Sequence, residues 1–301
     1  VHGDLESALR SAQSRLDGPS GVAESEELIG RLLGLRRSDL YLDRHRPLTP
    51  EQWDRLDSWL RRRVRGEPIQ HITGRAAFRG LDLAVSSDVL IPRPETELLV
   101  QAVLDTLAAE RERWPEPRLV DLGTGSGAIG LAIASEWPAA HVVATDVSAA
   151  ALRIARANAA ELGLSETVRF LEGDWFDPLG DDRFEVVVSN PPYVAEAERD
   201  ELEVQVREYE PESALFSGES GLDDLRTIID TAPRHLVAGG LLALELSERR
   251  ADEVAEWLDG ARDWQGVRLI DDLAGHPRVL LARRQAGPAI APAQWEEEEA
   301  R

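Results

Sequence analysis

Arg118-Leu119-Val120-Asp121-Leu122-Gly123-Thr124-Gly125-Ser126-Gly127 is the stretch on which the fold turns. An apolar run ends in glycines at alternate positions, and a helical pattern from Ser126 to Glu136 follows at once. Glycine is needed where a backbone turns tightly and a ligand must approach without a Cβ in the way. Strand, glycine turn and helix therefore predict a nucleotide-like cofactor at Gly123, Thr124, Gly125, Ser126 and Gly127. Around this unit, strands are predicted at 118–123, 141–146, 168–173, 184–189, 240–246, 267–271 and 278–284. They alternate with helices at 126–136, 148–162, 221–236 and 249–259, the pattern of an α/β fold. The last two strands have no helix between them, so the reading is a seven-stranded, doubly wound, mainly parallel Rossmann-like sheet closed by an antiparallel pair.

Upstream the period changes. Leu5, Ala8, Leu9, Ala12 and Leu16 share one helical face within 4–16, and Leu28, Ile29, Leu32, Leu33 and Leu35 mark a second helix. Thr49-Pro50-Glu51-Gln52 starts a third, with Thr49 as N-cap, Pro50 in the first helical position and Gln52 completing a capping box. Trp53, Leu56, Trp59, Leu60 and Val64 form its apolar stripe and Gly66 ends it. Residues 1–66 thus read as a small N-terminal helical bundle, 67–92 as a β-hairpin linker, and 93–284, opening with a helix from Leu98 to Glu110, as the cofactor-binding domain. The Ala-, Pro- and Glu-rich tail 285–301 is expected to be disordered.

Composition narrows the function. The chain has 301 residues, 43% apolar and 30% charged, enough for a full core and a smaller second domain. No apolar run is long enough to cross a membrane, and the acidic start lacks a signal core, so a cytoplasmic location is expected. Without cysteine there is no disulfide, thiolate metal site or cysteine nucleophile. All 34 basic residues are arginine, and the net charge of −22 opposes nonspecific nucleic-acid binding. The six histidines, at 2, 45, 71, 141, 235 and 276, lack metal-ligand spacing, and no metal is expected.

Three further loops carry chemistry. The strand after the glycine turn ends in Asp146, placed to accept from both hydroxyls of a ribose. A tight turn with a surface aspartate would show the same pattern, and a dinucleotide oxidoreductase would share it. The next strand ends at Asp174-Trp175, an acceptor for an adenine amino group beside a flat ring; an ordinary core tryptophan is the alternative. The fourth strand, Phe184 to Ser189, runs into Asn190-Pro191-Pro192-Tyr193. Both prolines lack an N–H and keep the backbone out of a helix. The Asn190 side-chain oxygen and the Pro191 carbonyl are then free to accept from a planar –NH2 group, with Tyr193 as a face for it to rest on. Together these loops point to methyl transfer onto a planar amino nitrogen.

The motif order resembles a class I S-adenosylmethionine-dependent methyltransferase. Further stretches resemble one family, the peptide chain release factor glutamine N5-methyltransferases (HemK/PrmC). They are Arg65-Gly66-Glu67-Pro68-Ile69-Gln70-His71-Ile72-Thr73-Gly74, Leu90-Ile91-Pro92-Arg93-Pro94-Glu95-Thr96-Glu97, Val206-Arg207-Glu208-Tyr209-Glu210-Pro211 with Ala214-Leu215-Phe216-Ser217-Gly218, and Asp272-Leu273-Ala274-Gly275 with Arg278-Val279. The resemblance spans roughly residues 25–284. It implies that Gly123 through Gly127 cradle the methionine end of S-adenosylmethionine, that Asp146 holds the ribose and Trp175 lies at the adenine. It also implies that Asn190, Pro191, Pro192 and Tyr193 bind the target glutamine of a class-1 release factor, with the N-terminal helices helping to dock it; we lean to a monomer. The chain departs from the family where Leu246-Ser247-Glu248-Arg249-Arg250 replaces a loop that often carries Gly and Gln, and its first 24 residues match poorly. A ribosomal-protein glutamine methyltransferase, an adenine-N6 DNA methyltransferase and a non-catalytic cofactor-binding module are the alternatives. The DNA enzyme would be expected to bring a target-recognition domain and a basic face, whereas this chain has an acidic balance and no unassigned stretch large enough for such a domain.

Overall fold

The computed structural model describes residues 3–16 and 18–285. The chain starts with five helices: α1 (Leu5–Gln13), α2 (Gly21–Leu33), α3 (Arg37–Leu42), α4 (Pro50–Val64) and α5 (Ile69–Thr73). The capping box at α4 forms as expected: Gln52 N–H donates to Thr49 Oγ1 at 3.3 Å and Thr49 N–H to Gln52 Oε1 at 2.9 Å. Leu5, Leu28, Ile29, Leu56, Trp59 and Leu60 close a core of their own.

Part of the expected hairpin region is helical. Pro68 and Gly74, the latter at φ 74°, bracket α5, and Ile69 and Ile72 sit three apart on the face that packs into the helical core. Strands β1 (Arg75–Phe78) and β2 (Leu81–Ala84) form the hairpin, and 85–95 is loop. Phe78 and Leu83 are buried in the core of the large sheet. The short helix α3 had no apolar stripe long enough to signal it.

The rest is α6 (Thr96–Ala109), β3 (Arg118–Leu122), α7 (Ala128–Glu136), β4 (His141–Asp146), α8 (Ala149–Glu161), β5 (Val168–Glu172), β6 (Phe184–Ser189), α9 (Val204–Tyr209), α10 (Asp223–His235), β7 (Leu236–Glu245), α11 (Ala251–Asp259), β8 (Trp264–Asp271) and β9 (Pro277–Arg284). Seven strands form one sheet in the order β5-β4-β3-β6-β7-β9-β8. Strands β3 to β7 pair in parallel, and β9 is antiparallel to both β7 and β8. Strand β7 begins upstream of the expected residue 240, because Gly239, at φ 74°, and Gly240 sit where its register with β6 shifts and interrupt the apolar pattern. Successive residues along β3 face opposite layers: Leu119 belongs to the core that includes α6 and α7, Val120 and Leu122 to the one that includes α10 and α11. Burial on both faces is why these strands read as continuous apolar runs.

The strand order reverses between β3 and β6, opening a crevice at their C-terminal ends, where open α/β sheets bind ligands. Asn158 of α8, 1% exposed, ties the hairpin to this edge. Its Nδ2 donates to Ser126 O at 2.8 Å and Ala84 O at 3.0 Å, while Oδ1 accepts from Ala84 N–H at 2.7 Å. Asn158→Ala is expected to lower stability by roughly 2–4 kcal/mol, because it strands one buried and two partly buried backbone groups at once. Urea unfolding checks this; an unchanged midpoint would show that the clasp contributes nothing.

Candidate active site

The glycine turn leaves β3 with Gly123 at φ 67°, Gly125 at φ 56° and Gly127 at φ 85°, all left-handed. A Cβ on Gly125 would meet no protein atom within 4 Å, so the chain there faces the open cleft. A Cβ on Gly127 would come within 2.8 Å of Leu131 Cδ1; this glycine starts α7 and serves helix packing, outside the cleft lining. Gly123, Thr124, Gly125 and Ser126 do line the cleft.

Asp121, completely buried, holds the turn from below. Its Oδ2 accepts from Thr124 Oγ1 at 2.6 Å and Gly130 N–H at 3.0 Å, whereas Oδ1 has no partner. Burial pushes its carboxyl up to about 7, against the pull of those two donors. Asp146 lies at the end of the neighbouring strand and lines the cleft. Its Oδ2 accepts from Gly125 N–H at 2.8 Å and Oδ1 from Ser148 N–H at 2.8 Å. Each carboxylate oxygen has a second lone pair, so the two amides aim the group without exhausting it. Burial raises its pKa, and the same two amides oppose that shift.

Trp175 adopts a positive φ of 39°, and its ring lies 3.1 Å from where a Gly123 Cβ would be. Its Nε1–H donates to Asp224 Oδ1 at 3.3 Å and its carbonyl accepts from Thr145 Oγ1 at 3.0 Å. Only glycine at 123 lets this ring lie against the turn. Asp174 is exposed at the rim; partial burial and the charges of Asp177 and Asp224 hold its pKa above the ordinary range.

Asn190 and Pro192 line the opposite side. Asn190 Nδ2 donates to Thr96 Oγ1 at 3.1 Å, at the start of α6. Pro191 is buried and Tyr193 half-buried, and neither lines this cleft. The Tyr193 hydroxyl donates to Glu245 Oε1 at 3.4 Å, and burial followed by the Glu245 charge raises its pKa. Pro211, Ser213 and Ala214 form a further wall. Arg93 secures that wall, its Nη2 donating to Glu210 Oε1 at 2.7 Å and Oε2 at 2.8 Å; the Glu210 side chain is 1% exposed. Thr96, Arg93, Glu210 and Glu245 were not singled out from the sequence as site residues. Glu245 had a signal: it is the one acid in the apolar run Leu241 to Leu246.

A glycine turn on the central strand, an acid ending the next strand and a polar proline loop ending the fourth define a class I, Rossmann-like methyltransferase. The chain is 41% identical over 281 residues to the release factor glutamine methyltransferase of Koribacter versatilis, covering 93% of this chain and 97% of that protein. It is 42% identical over 280 residues to that of Chlorobaculum tepidum, covering 91% and 93%. The chain belongs to the release factor glutamine methyltransferase family. Residues 95–207 match the family model of the methyltransferase small domain, and residues 7–74 that of the PrmC N-terminal domain. The likeness therefore reaches upstream of residue 25, where the sequence reading placed its start. Among solved structures, the hMettl16 catalytic domain in complex with MAT2A 3'UTR hairpin 6 has a TM-score of 0.54 at 15% identity, covering 81% of this chain and 84% of that one, a likeness of fold.

Asp121 generates a pH prediction. A carboxyl whose pKa is raised on folding adds stability that is complete below its unfolded pKa and is lost as pH rises through the folded value. Asp121→Asn keeps the acceptor for Thr124 and Gly130 and cannot ionise. Relative to the parent, the variant is expected to gain about 1–3 kcal/mol between about pH 5 and about pH 8. Urea titrations of the cofactor-free protein at both pH values check this; a constant difference would place the Asp121 pKa elsewhere.

Proposed function

We propose that this chain transfers a methyl group from S-adenosylmethionine to the side-chain nitrogen (N5) of the glutamine in the Gly-Gly-Gln loop of class-1 release factors. The observation that carries the reading is the Asn190–Thr96 bond. With one of its two amide N–H groups held by Thr96, Asn190 keeps Oδ1, an acceptor, to offer at the cleft.

When bound, S-adenosylmethionine supplies a methyl group on a sulfonium sulfur. The residues present suit it: an open backbone at Gly125 for the methionine end, the aimed carboxylate of Asp146 for the ribose hydroxyls, and Asp174 with Trp175 for the adenine. A glutamine amide nitrogen is a poor nucleophile because its lone pair is delocalised into the carbonyl, and it is too weak an acid to be deprotonated outright. Asn190 Oδ1, which lines the cleft, would accept one of its N–H groups, align the nitrogen and stabilise the positive charge that develops on it; the Pro191 carbonyl, expected as the second acceptor, would have to reach the amide from a residue outside the cleft lining. Positioning and fixed dipoles do this without a titrating base.

The charge of −22 fits a basic protein loop better than a nucleic acid. No helix among the described residues is long and apolar enough to cross a membrane. A release-factor substrate would place the reaction in the cytoplasm.

The direct test is mass spectrometry of a release factor incubated with the protein and S-adenosylmethionine. A single-methyl mass shift on the loop glutamine is expected, and its absence with active cofactor binding would refute the substrate. Asn190→Ala should reduce turnover about a hundredfold or more, with a smaller loss of cofactor affinity. Tyr193→Phe should be milder, since the bond it loses is long; single-turnover rates rank the two. Asp146→Ala should weaken cofactor binding by about 1.5–3 kcal/mol; unchanged affinity by calorimetry would put the ribose elsewhere.

A further inference from the structure

Two stretches of chain form lips of the cleft. One is the loop before α6, from which residues 88–90 and Pro92 line the opening. It is anchored, since Val89 and Ile91 belong to a small buried cluster with Ala76, Val85 and Ala151. The other is the short turn after α9, from which Pro211, Ser213 and Ala214 line the same opening. That turn closes on itself, Ala214 N–H donating to Pro211 O at 3.0 Å and Leu215 N–H to Glu212 O at 3.0 Å. Its downstream end is tied to the chain that follows Tyr193: Val194 N–H donates to Leu215 O at 2.9 Å, and Ser217 N–H to Val194 O at 3.0 Å. Its upstream end is tied to the first lip. Arg93, next to Pro92, donates from Nη2 to both oxygens of Glu210, next to Pro211, at 2.7 and 2.8 Å. One ion pair thus joins the two lips at their base.

The Glu210 side chain is 1% exposed and that of Arg93 31%. A buried ion pair contributes little net stability compared with an apolar pair of similar volume, because both charges give up water. What this pair adds is a fixed separation. The turn at 211–214 also lies on the acceptor side of the cleft. It shares with Asn190 the connection between β6 and α10, whereas the glycine turn, Asp146 and Trp175 follow β3, β4 and β5, across the reversal of strand order.

We propose that Arg93 and Glu210 are positioning residues that set the width of the opening through which the target side chain reaches Asn190, and with it the length of side chain accepted. This rests on the glutamine reading above and deepens it by naming what selects glutamine. With the lips clasped, the backbone of the substrate loop stays outside and the side chain alone spans the distance to Asn190. Glutamine has one methylene more than asparagine, so a clasped opening favours it. A relaxed opening lets the backbone approach, and asparagine then reaches as well.

The test compares kcat/KM for a release factor and for the same protein carrying asparagine in place of the loop glutamine. Calorimetry with S-adenosylhomocysteine is run beside it to report the cofactor side. Glu210→Gln is expected to raise KM for the release factor about tenfold with a smaller change in kcat. Its preference for glutamine over asparagine should fall about tenfold, the scale on which one methylene is discriminated, and S-adenosylhomocysteine affinity should stay within about twofold of the parent. Arg93→Lys keeps one nitrogen that can serve both Glu210 oxygens, as Nη2 does here, and should retain most of the preference. The double variant Arg93→Met/Glu210→Leu replaces the pair by an apolar contact, so it folds without a directed clasp and should lose the preference as Glu210→Gln does. It decides the matter should Glu210→Gln fail to fold. Parental preference in either folded variant would overturn the inference. A loss of S-adenosylhomocysteine affinity as large as the loss in kcat/KM would overturn it too, by making the pair a support of the whole cleft. A parental protein that methylates no release factor would sink the glutamine reading and this inference with it, whereas an active parent with indifferent variants would sink this inference alone.

Discussion

The cleft depends on how β3 pairs with β4 on one side and β6 on the other. The registers place Leu122 opposite both Thr145 and Ser189, so Gly123, Asp146 and Asn190 leave the sheet at one level. Two short bonds reinforce the level: Thr124 N–H donates to Thr145 O at 2.9 Å, and Ser189 Oγ donates to Leu122 O at 2.8 Å. A slip of one residue in either pairing would turn alternate side chains to the wrong face and separate the loops. Burial on both faces makes such a slip costly, since every residue from Leu119 to Leu122 is fully enclosed. The loops can stay polar because the strands beneath them are apolar.

Three buried acids carry the cost of building this edge, and each is met differently. Glu210 has a full counter-charge in Arg93, which fixes the wall formed by Pro211 to Ala214. Asp121 has only a hydroxyl and an amide, and Glu245 the Tyr193 hydroxyl; burial pushes both carboxyls up to about 7. Burying a carboxyl without a cation is unfavourable, so neither group is there for stability alone. Asp121 fixes the glycine turn through Thr124 and Gly130, and Glu245 holds the Tyr193 hydroxyl of the loop after β6.

The helical start of the chain is coupled to this edge through few contacts. Tyr209 Oη donates to Arg65 O at 3.2 Å, next to the Glu210 that Arg93 grips. The hairpin reaches the glycine turn through Asn158, which serves Ala84 and Ser126 together. These contacts join the helices expected to dock the substrate to the loops proposed to methylate it.

Much of this was legible in the sequence, where the governing physics is local. Three glycines after an apolar run, a Thr-Pro-Glu-Gln helix start and two prolines after a strand are steric statements about a few adjacent residues, and the structure has the elements they foretold. Strand and helix alternation likewise specified the parallel sheet with its antiparallel close. Pattern failed at α5, because two isoleucines three apart fit a helix turn while their β-branched side chains also fit a strand, and only packing on the helical core decided. It grouped Gly127 with the cleft, whereas a Cβ there would also meet Ala155 of α8, a neighbour that only the packing of α8 supplies. The pairs that aim the site are all long-range: Asn190 with Thr96, Tyr193 with Glu245, Arg93 with Glu210. Nothing local to one partner specifies the other. Such contacts exist only once the strand order brings the end of β7 and the start of α6 to the crevice between β3 and β6, and strand order is set by burial of whole faces rather than by any short run of residues.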